Sequence, residues 1–240
     1  MTKSLVHLPF DSKGIFVSRE NRFLGKVRLK DTDSVVKVHV RDPGRLEEIL
    51  YEGNEVLLEK AESDDRKTDW TLLAGKVKDD WILVNSGYHR KISESILNDQ
   101  VLSPFGEIEG YEAEKKLGDS RIDFSLQKNE GDIWVEVKGC TLAEEEIALF
   151  PDAPTKRGKR HVEELIRANE AKDTSAALLF LVFRPDARCF SPYEKQDPDF
   201  SKSFEKALEE GVEVHAIQLE YDGSDILYKG EIPICEDDKK

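Results

Sequence analysis

The stretch that decides the fold is Arg121-Ile122-Asp123-Phe124-Ser125-Leu126-Gln127, then Lys128-Asn129-Glu130-Gly131, then Asp132-Ile133-Trp134-Val135-Glu136-Val137-Lys138. Side chains along a strand alternate between faces. Ile133, Val135 and Val137 therefore share one face, and Glu136 and Lys138 share the other. The four intervening residues contain Asn and Gly and suit a hairpin turn. With that loop length Gln127 pairs with Asp132, and Asp123 falls opposite Glu136. Residues placed so lie about 4.5–5.5 Å apart at Cβ.

Two carboxylates that close repel unless positive charge lies between them. A divalent cation supplies it: Mg²⁺ or Mn²⁺ takes hard oxygen ligands, and one or two carboxylates plus substrate phosphate complete its shell. Lys138 would stand beside such an ion, orienting or deprotonating a water or stabilising charge on a phosphate. Glu114, on a preceding strand, is a further acidic candidate. The candidate catalytic residues are thus Asp123, Glu136, Lys138 and Glu114, and the candidate metal ligands are Asp123, Glu136 and Glu114. A hairpin of mixed charge also occurs as an ordinary solvated sheet face. Against that reading, Glu136 and Lys138 interrupt an otherwise apolar strand, and buried charge is costly unless paired or bound to a metal.

Around this hairpin the chain divides in two. Before residue 86 it reads as short strands rich in β-branched and aromatic residues: Ile15–Val17, Phe23–Leu29, Val35–Val40, Glu55–Leu58, Trp70–Val77 and Trp81–Val84. A short helix is expected from Pro43 to Leu50, stopped near Gly53. Such a set suits a small OB-like β-barrel, or a sandwich if a strand is miscounted. After a linking helix near residues 90–98, longer strands alternate with helices. Helices are expected over Thr155–Ala171, with Thr155 as N-cap, and over Phe200–Glu210. The apolar run Ala176–Phe183 reads as a buried strand. This second part is α/β. The expected domains are residues 1–86 and 87–240.

The 240 residues carry a net charge of −14, which by itself disfavours nucleic acid. The first 41 residues run the other way, with nine Lys and Arg against four Asp and Glu. A basic segment in an acidic chain points to an anionic partner. Arg19, Asn21, Arg22 and Phe23 combine cations, an amide and a ring, as single-strand binding grooves do; an edge strand with Phe23 in the core is the alternative. Arg157, Lys159, Arg160 and His161 open a helix whose N-terminus attracts phosphate. No apolar run is long enough to cross a bilayer, and the first residues do not read as a signal peptide. The three cysteines, Cys140, Cys189 and Cys235, are too irregularly spaced for a disulfide framework or a zinc module. A reducing cytoplasm is the expected setting, with no membrane partner.

The residues Asp123, Glu136 and Lys138 resemble the D…ExK signature of the restriction-endonuclease-like superfamily. The wider pattern resembles the sugar fermentation stimulation protein family, SfsA. It is carried by Ser120-Arg121-Ile122-Asp123-Phe124, by Glu136-Val137-Lys138-Gly139-Cys140-Thr141-Leu142 and by the run from Phe150-Pro151-Asp152-Ala153-Pro154-Thr155 to His161. In the first half it is carried by Glu20-Asn21-Arg22-Phe23-Leu24, by Val38-His39-Val40-Arg41-Asp42-Pro43-Gly44-Arg45-Leu46 and by Arg66-Lys67-Thr68. One departure is Arg90, near which the family usually has an Asn. The resemblance implies an N-terminal OB-like domain, a C-terminal nuclease-like domain, DNA binding and a link to regulation of sugar metabolism. It adds His39, Arg41, Arg45, Arg66 and Lys67 to the candidate nucleic-acid-binding residues. Three functions follow: a DNA-binding regulator with a divalent-metal nuclease-like site, an active Mg²⁺- or Mn²⁺-dependent nuclease on DNA or RNA, and a protein-interaction module suggested by the acidic surface. Single- or double-stranded DNA is the expected partner, with RNA a further candidate. Oligomeric state is left open, a homodimer included.

Overall fold

The apolar run Ala176–Phe183 is the middle of the molecule in a computed structural model that describes residues 2–61, 68–129, 131–171 and 174–236. The first half contains β1 (Lys3–His7), β2 (Ser12–Asn21), β3 (Leu24–Leu29), β4 (Val35–His39), β5 (Glu55–Lys60), β6 (Trp70–Val77) and β7 (Asp80–Leu83). A 3-10 turn at Ser86–Tyr88 leads into α1 (His89–Leu97). The second half contains β8 (Gly110–Leu117), β9 (Ser120–Gln127), β10 (Asp132–Cys140), β11 (Leu142–Glu144), β12 (Ile147–Phe150), α2 (Lys156–Asn169), β13 (Thr174–Val182), β14 (Cys189–Pro192), α3 (Pro198–Glu209), β15 (Glu213–Tyr221) and β16 (Asp225–Ile232).

Strand β13 runs parallel to β10 on one side and to β15 on the other. Both its faces are covered, which is why the run is apolar throughout. Ala177, Leu179 and Leu181 join one core; Ala176, Leu178, Phe180 and Val182 join the other. The second core is closed by α2, through Val162 and Leu165, and by α3, through Phe200 and Phe204. The first core takes in α1, through Ile92 and Ile96, and continues into the interior of the N-terminal strands. This half has the mixed-sheet α/β architecture of restriction-endonuclease-like folds.

Strands β2 to β6 form a five-stranded barrel. The antiparallel path β4-β3-β2-β5-β6 is closed by parallel pairing of β4 with β6. Closure removes the exposed edges of a flat sheet, and Phe16, Val27, Val38, Val56 and Leu72 fill the inside. This is the OB-like barrel expected from the short strands. The pairing of Tyr221 with Trp81 joins it to the second sheet, and β1 reaches across to pair with β16.

The structure corrects two expectations. Residues 43–50 form turns rather than a helix: only Ile49 and Leu50 bond back to Leu46, whose φ is 54°. That left-handed geometry breaks a helix at its centre. Cys189 and Cys235 form a disulfide, with Cα atoms 5.1 Å apart. Their separation of 46 residues hid the pairing, but a parallel bridge from Phe190 to Ile234 sets them side by side. Cys140 is the free, buried cysteine, and burial pushes its thiol far up. Among the described residues no helix is long and apolar enough to cross a membrane. Strands β1, β11, β12, β14 and β16 carry no clear signal at sequence level.

Candidate functional site

The hairpin of β9 and β10 has the expected register, with Leu126 opposite Ile133, Ser125 opposite Trp134 and Phe124 opposite Val135. Paired backbone stops there. At the next step the Asp123 carboxylate turns to accept the Val137 N–H at 2.8 Å. Pairing between β8 and β9 also skips this point, passing from Ala113–Phe124 to Lys115–Ile122. The skipped residue on β8 is Glu114, at φ 53°, a region a non-glycine residue seldom occupies. Both ladders are thus interrupted around Asp123, and the interruption frees its side chain to face Glu136.

Glu136 is 3% exposed. Its Oε1 accepts from Lys138 Nζ at 2.5 Å and makes a short contact with His161 Nδ1. Arg157 Nε donates to His161 Nε2 at 3.3 Å, so Nε2 accepts and Nδ1 carries the proton toward Glu136. The other carboxylate oxygen, Oε2, is buried with no hydrogen-bond partner among the described residues. Burial alone would raise the Glu136 carboxyl, but Lys138 and His161 outweigh it and hold the group below its ordinary range. Asp123 goes the other way. Burial, then the Glu136 charge, raise it to about 6 against the Val137 bond and the Lys138 charge.

The helix α2 supplies His161 because its apolar stripe faces the sheet. Gly158, His161, Val162 and Leu165 are buried along one side. Thr155 caps the helix as expected, accepting from Gly158 N at 2.9 Å, and its own N–H donates to Asp197 Oδ2 at 2.7 Å. Asp197 in turn caps α3 through Phe200 N.

These groups border a cavity of about 870 Å³ between the barrel and the second domain. Asp123, Glu136, Lys138, Glu114, Arg22, Arg45 and Arg157 all line it. Glu114 is drawn outward by Arg90 at 3.6 Å and Arg121 at 3.4 Å. Other expected nucleic-acid residues stand elsewhere. Arg19 braces the barrel, donating to the carbonyls of Arg22, Asp42 and Arg45. Asn21 accepts from Phe23 N within the β2–β3 turn, and His39 lies 3.2 Å from the Phe23 carbonyl. Phe23 is 47% exposed rather than in the core. Arg41 packs against Gly87. Lys159 turns to Asp199 and Glu163, and Arg160 to Ser120. Arg66 and Lys67 lie outside the described residues.

Three contributors went unread in the sequence. Asp152 accepts from Leu46 N at 3.3 Å and ties the two walls. Asp42 accepts from Gly44 N at 2.8 Å, and burial raises its carboxyl to about 6. His89 is buried against Gly139 and stacks on Phe183 at 5.4 Å, and burial lowers it to about 4. The cavity-lining runs at Asp42–Arg45 and Phe150–Thr155 were the available signal for the first two.

The donor set fits a hard divalent cation. Glu136 Oε2 is an oxygen ligand without a partner, and Asp123 offers a second carboxylate whose charge is disfavoured while it stands beside Glu136 alone. Among the described residues no group of three or more His, Cys, Asp or Glu is placed to hold a metal ion, so Asp123 and Glu136 would be the two protein ligands. Such a site leaves room for water and phosphate oxygens, as Mg²⁺-type sites commonly do.

Comparison with known proteins finds two family models side by side on this chain. Residues 17–84 match the SfsA N-terminal OB domain, and residues 87–225 match the sugar fermentation stimulation protein RE domain. A sugar fermentation stimulation protein homolog from Methanococcoides burtonii is 44% identical over 98% of this chain and 96% of its own. A homolog from Thermotoga neapolitana is 45% identical over 97% and 99%. The solved structure titled as Pyrococcus furiosus SfsA in complex with Ca²⁺ is 30% identical, with a TM-score of 0.88, covering 98% of this chain and all of that one.

Proposed function

This chain belongs to the sugar fermentation stimulation protein family, and we propose that its interdomain cavity binds DNA around a divalent cation held by Asp123 and Glu136. The observation that carries the reading is Glu136 Oε2, a buried carboxylate oxygen with no hydrogen-bond partner among the described residues, on a residue that lines the cavity. Lys138 and His161 both stand on Oε1, and an acceptor oxygen left unpaired in the interior is costly. The relative from Pyrococcus furiosus, by its title, is a complex with Ca²⁺, an ion with the same preference for oxygen ligands.

Lys138 favours an active site over a purely binding one. Its ammonium stands on Glu136 Oε1, 13% exposed, at the cavity wall. From there it can donate to a phosphate oxygen as charge builds on it. Asp123, accepting from Val137 N, keeps one oxygen occupied and the other available. His161 fixes the rotation of the Glu136 carboxylate, and Arg157 fixes His161. When bound, the cation would supply a water acidic enough to attack a phosphodiester. The cell compartment that suits this reading is the cytoplasm, where DNA and free divalent cations are both present, although the Cys189–Cys235 disulfide removes the cysteine argument for a reducing setting.

The test is incubation of the protein with DNA and RNA in Mn²⁺, Mg²⁺ or EDTA, together with calorimetry. Metal uptake that disappears in Glu136→Gln supports the site, and metal-dependent products that vanish in Lys138→Ala while uptake persists support hydrolysis. Equal uptake by the wild type and by an Asp123→Asn, Glu136→Gln double variant rejects the reading.

A further inference from the structure

We infer that the nucleic acid admitted to this cavity is a single strand and not a duplex, an inference that rests on the nucleic-acid reading above. The reacting groups are recessed: Glu136 is 3% exposed and the Lys138 side chain 13%. They lie in a cavity of about 870 Å³ walled by both domains. The walls are fastened to each other. Leu46 N donates to Asp152 Oδ2 at 3.3 Å, and a Cβ on Gly44 would stand 2.2 Å from that same oxygen. From the barrel side Arg19 holds the same segment through the carbonyls of Asp42 and Arg45. That wall is not a flap free to swing aside for a thick ligand.

A cavity of this size holds a ligand of a few ring systems, since pockets of roughly 300–1,000 Å³ take one drug-sized molecule. A duplex, whose major groove alone is about 12 Å wide, stays outside it with its phosphates on its own rim. An unpaired strand is thinner and bends more sharply than a duplex, so its backbone can follow a charged groove and carry a phosphate down to a recessed group.

The charges in the cavity suit a strand path. Arg22, Arg45 and Arg157 line it, and none of the three guanidinium groups has an ion pair among the described residues. The acids nearby are engaged: Glu114 by Arg90 and Arg121, Asp152 by Leu46 N, Asp42 by Gly44 N. Positive charge without an ion pair thus stands on both walls, Arg22 and Arg45 on the barrel side and Arg157 on the second domain. Next to Arg22, Phe23 is 47% exposed, with its ring centre 5.7 Å from the Arg22 guanidinium carbon. Cations for phosphate and an open ring for a base are the combination that single strands use.

The experiment measures binding of the full chain, in Ca²⁺, to a short oligothymidine and to a duplex of equal length sealed at both ends by non-nucleotide linkers. The oligothymidine should bind at least about tenfold tighter, with a log–log salt slope near −2 for three phosphate contacts. Arg45→Ala should make that slope shallower by about 0.7. Phe23→Ala should weaken oligothymidine binding about fivefold or more with the slope unchanged. Equal or tighter binding of the sealed duplex overturns the inference and leaves the nucleic-acid reading standing, as does indifference of oligothymidine binding to both substitutions. Binding of neither probe removes the nucleic-acid reading and this inference with it.

Discussion

Glu136 and His161 meet inside the protein, 3% and 2% exposed, with the imidazole Nδ1 against one carboxylate oxygen and the other oxygen left without a partner among the described residues. One residue is on β10 and the other on α2, so the contact depends on how the helix packs on the sheet. It divides the carboxylate into an occupied side and an open side. Partners of this kind orient a metal ligand, and their loss typically costs 10–100-fold in metal affinity. His161→Ala should therefore weaken Mn²⁺ uptake by about 10–100-fold in calorimetry, and His161→Asn, which keeps a donor, should recover part of it. Unchanged uptake in His161→Ala would show that Lys138 alone orients Glu136.

Asp42 should make stability fall as pH rises. Burial lifts its carboxyl to about 6, with Asp152 adding to the rise and Gly44 N and Arg19 opposing it. A raised folded value means that the folded state holds the proton more tightly than the unfolded chain. The stabilisation is full below the ordinary carboxylate value near 4 and is lost as pH passes through about 6. Asp42→Asn stays neutral and still accepts from Gly44 N. It should be more stable than the wild type by up to about 2–3 kcal/mol above pH 6, with no advantage near pH 4. Denaturant midpoints taken on both sides of pH 6 check this, and a pH-independent difference would contradict it.

Gly139 is a packing position. A Cβ there would lie 2.2 Å from His89 Cε1, and His89 is sandwiched against Phe183. Gly139→Ala should destabilise by about 1–3 kcal/mol, the usual cost of overpacking a core. The double variant with His89→Ala should be less destabilised than the two single changes added together. Simple additivity in urea unfolding would mean that the two residues do not compete for space.

The disulfide between Cys189 and Cys235 closes a loop of 46 residues and pins the C-terminal segment to β14. Replacing both by Ser should lower stability by about 2–4 kcal/mol, with metal uptake unaffected because neither cysteine lines the cavity. Thermal denaturation of the oxidised wild type and the variant measures the difference. A drop in metal uptake would reveal coupling between the tail and the cavity.

Much of this molecule was legible from local rules. The β9–β10 register followed from strand alternation and a four-residue loop, and it put Asp123 and Glu136 on one face before any coordinates. The buried strand β13 showed as a continuous apolar run, and the Thr155 cap showed as a Thr ahead of an amphipathic helix. The turn at residues 43–50 was misread because helix propensity is local, whereas Asp152 and Arg19, which hold that segment, come from other parts of the chain. The Cys189–Cys235 pairing was misread for the same reason, since nothing in the spacing announces that β14 and the tail run side by side.

The order of residues by itself determined the alternation of faces, the start of α2 at its Thr155 cap, the barrel of short strands and the pair of carboxylates with a lysine beyond them. These depend on neighbours within a few positions, where backbone geometry leaves few choices. Only tertiary packing decided that His161 and Arg157 would hold Glu136, that Glu114 would turn away to two arginines, and that Gly44 and Asp152 would fasten one domain to the other. Glu136 and His161 are 25 residues apart and Gly44 and Asp152 are 108 apart, and burial, which shifts the titration of Asp123 and Asp42, exists only once the segments have met.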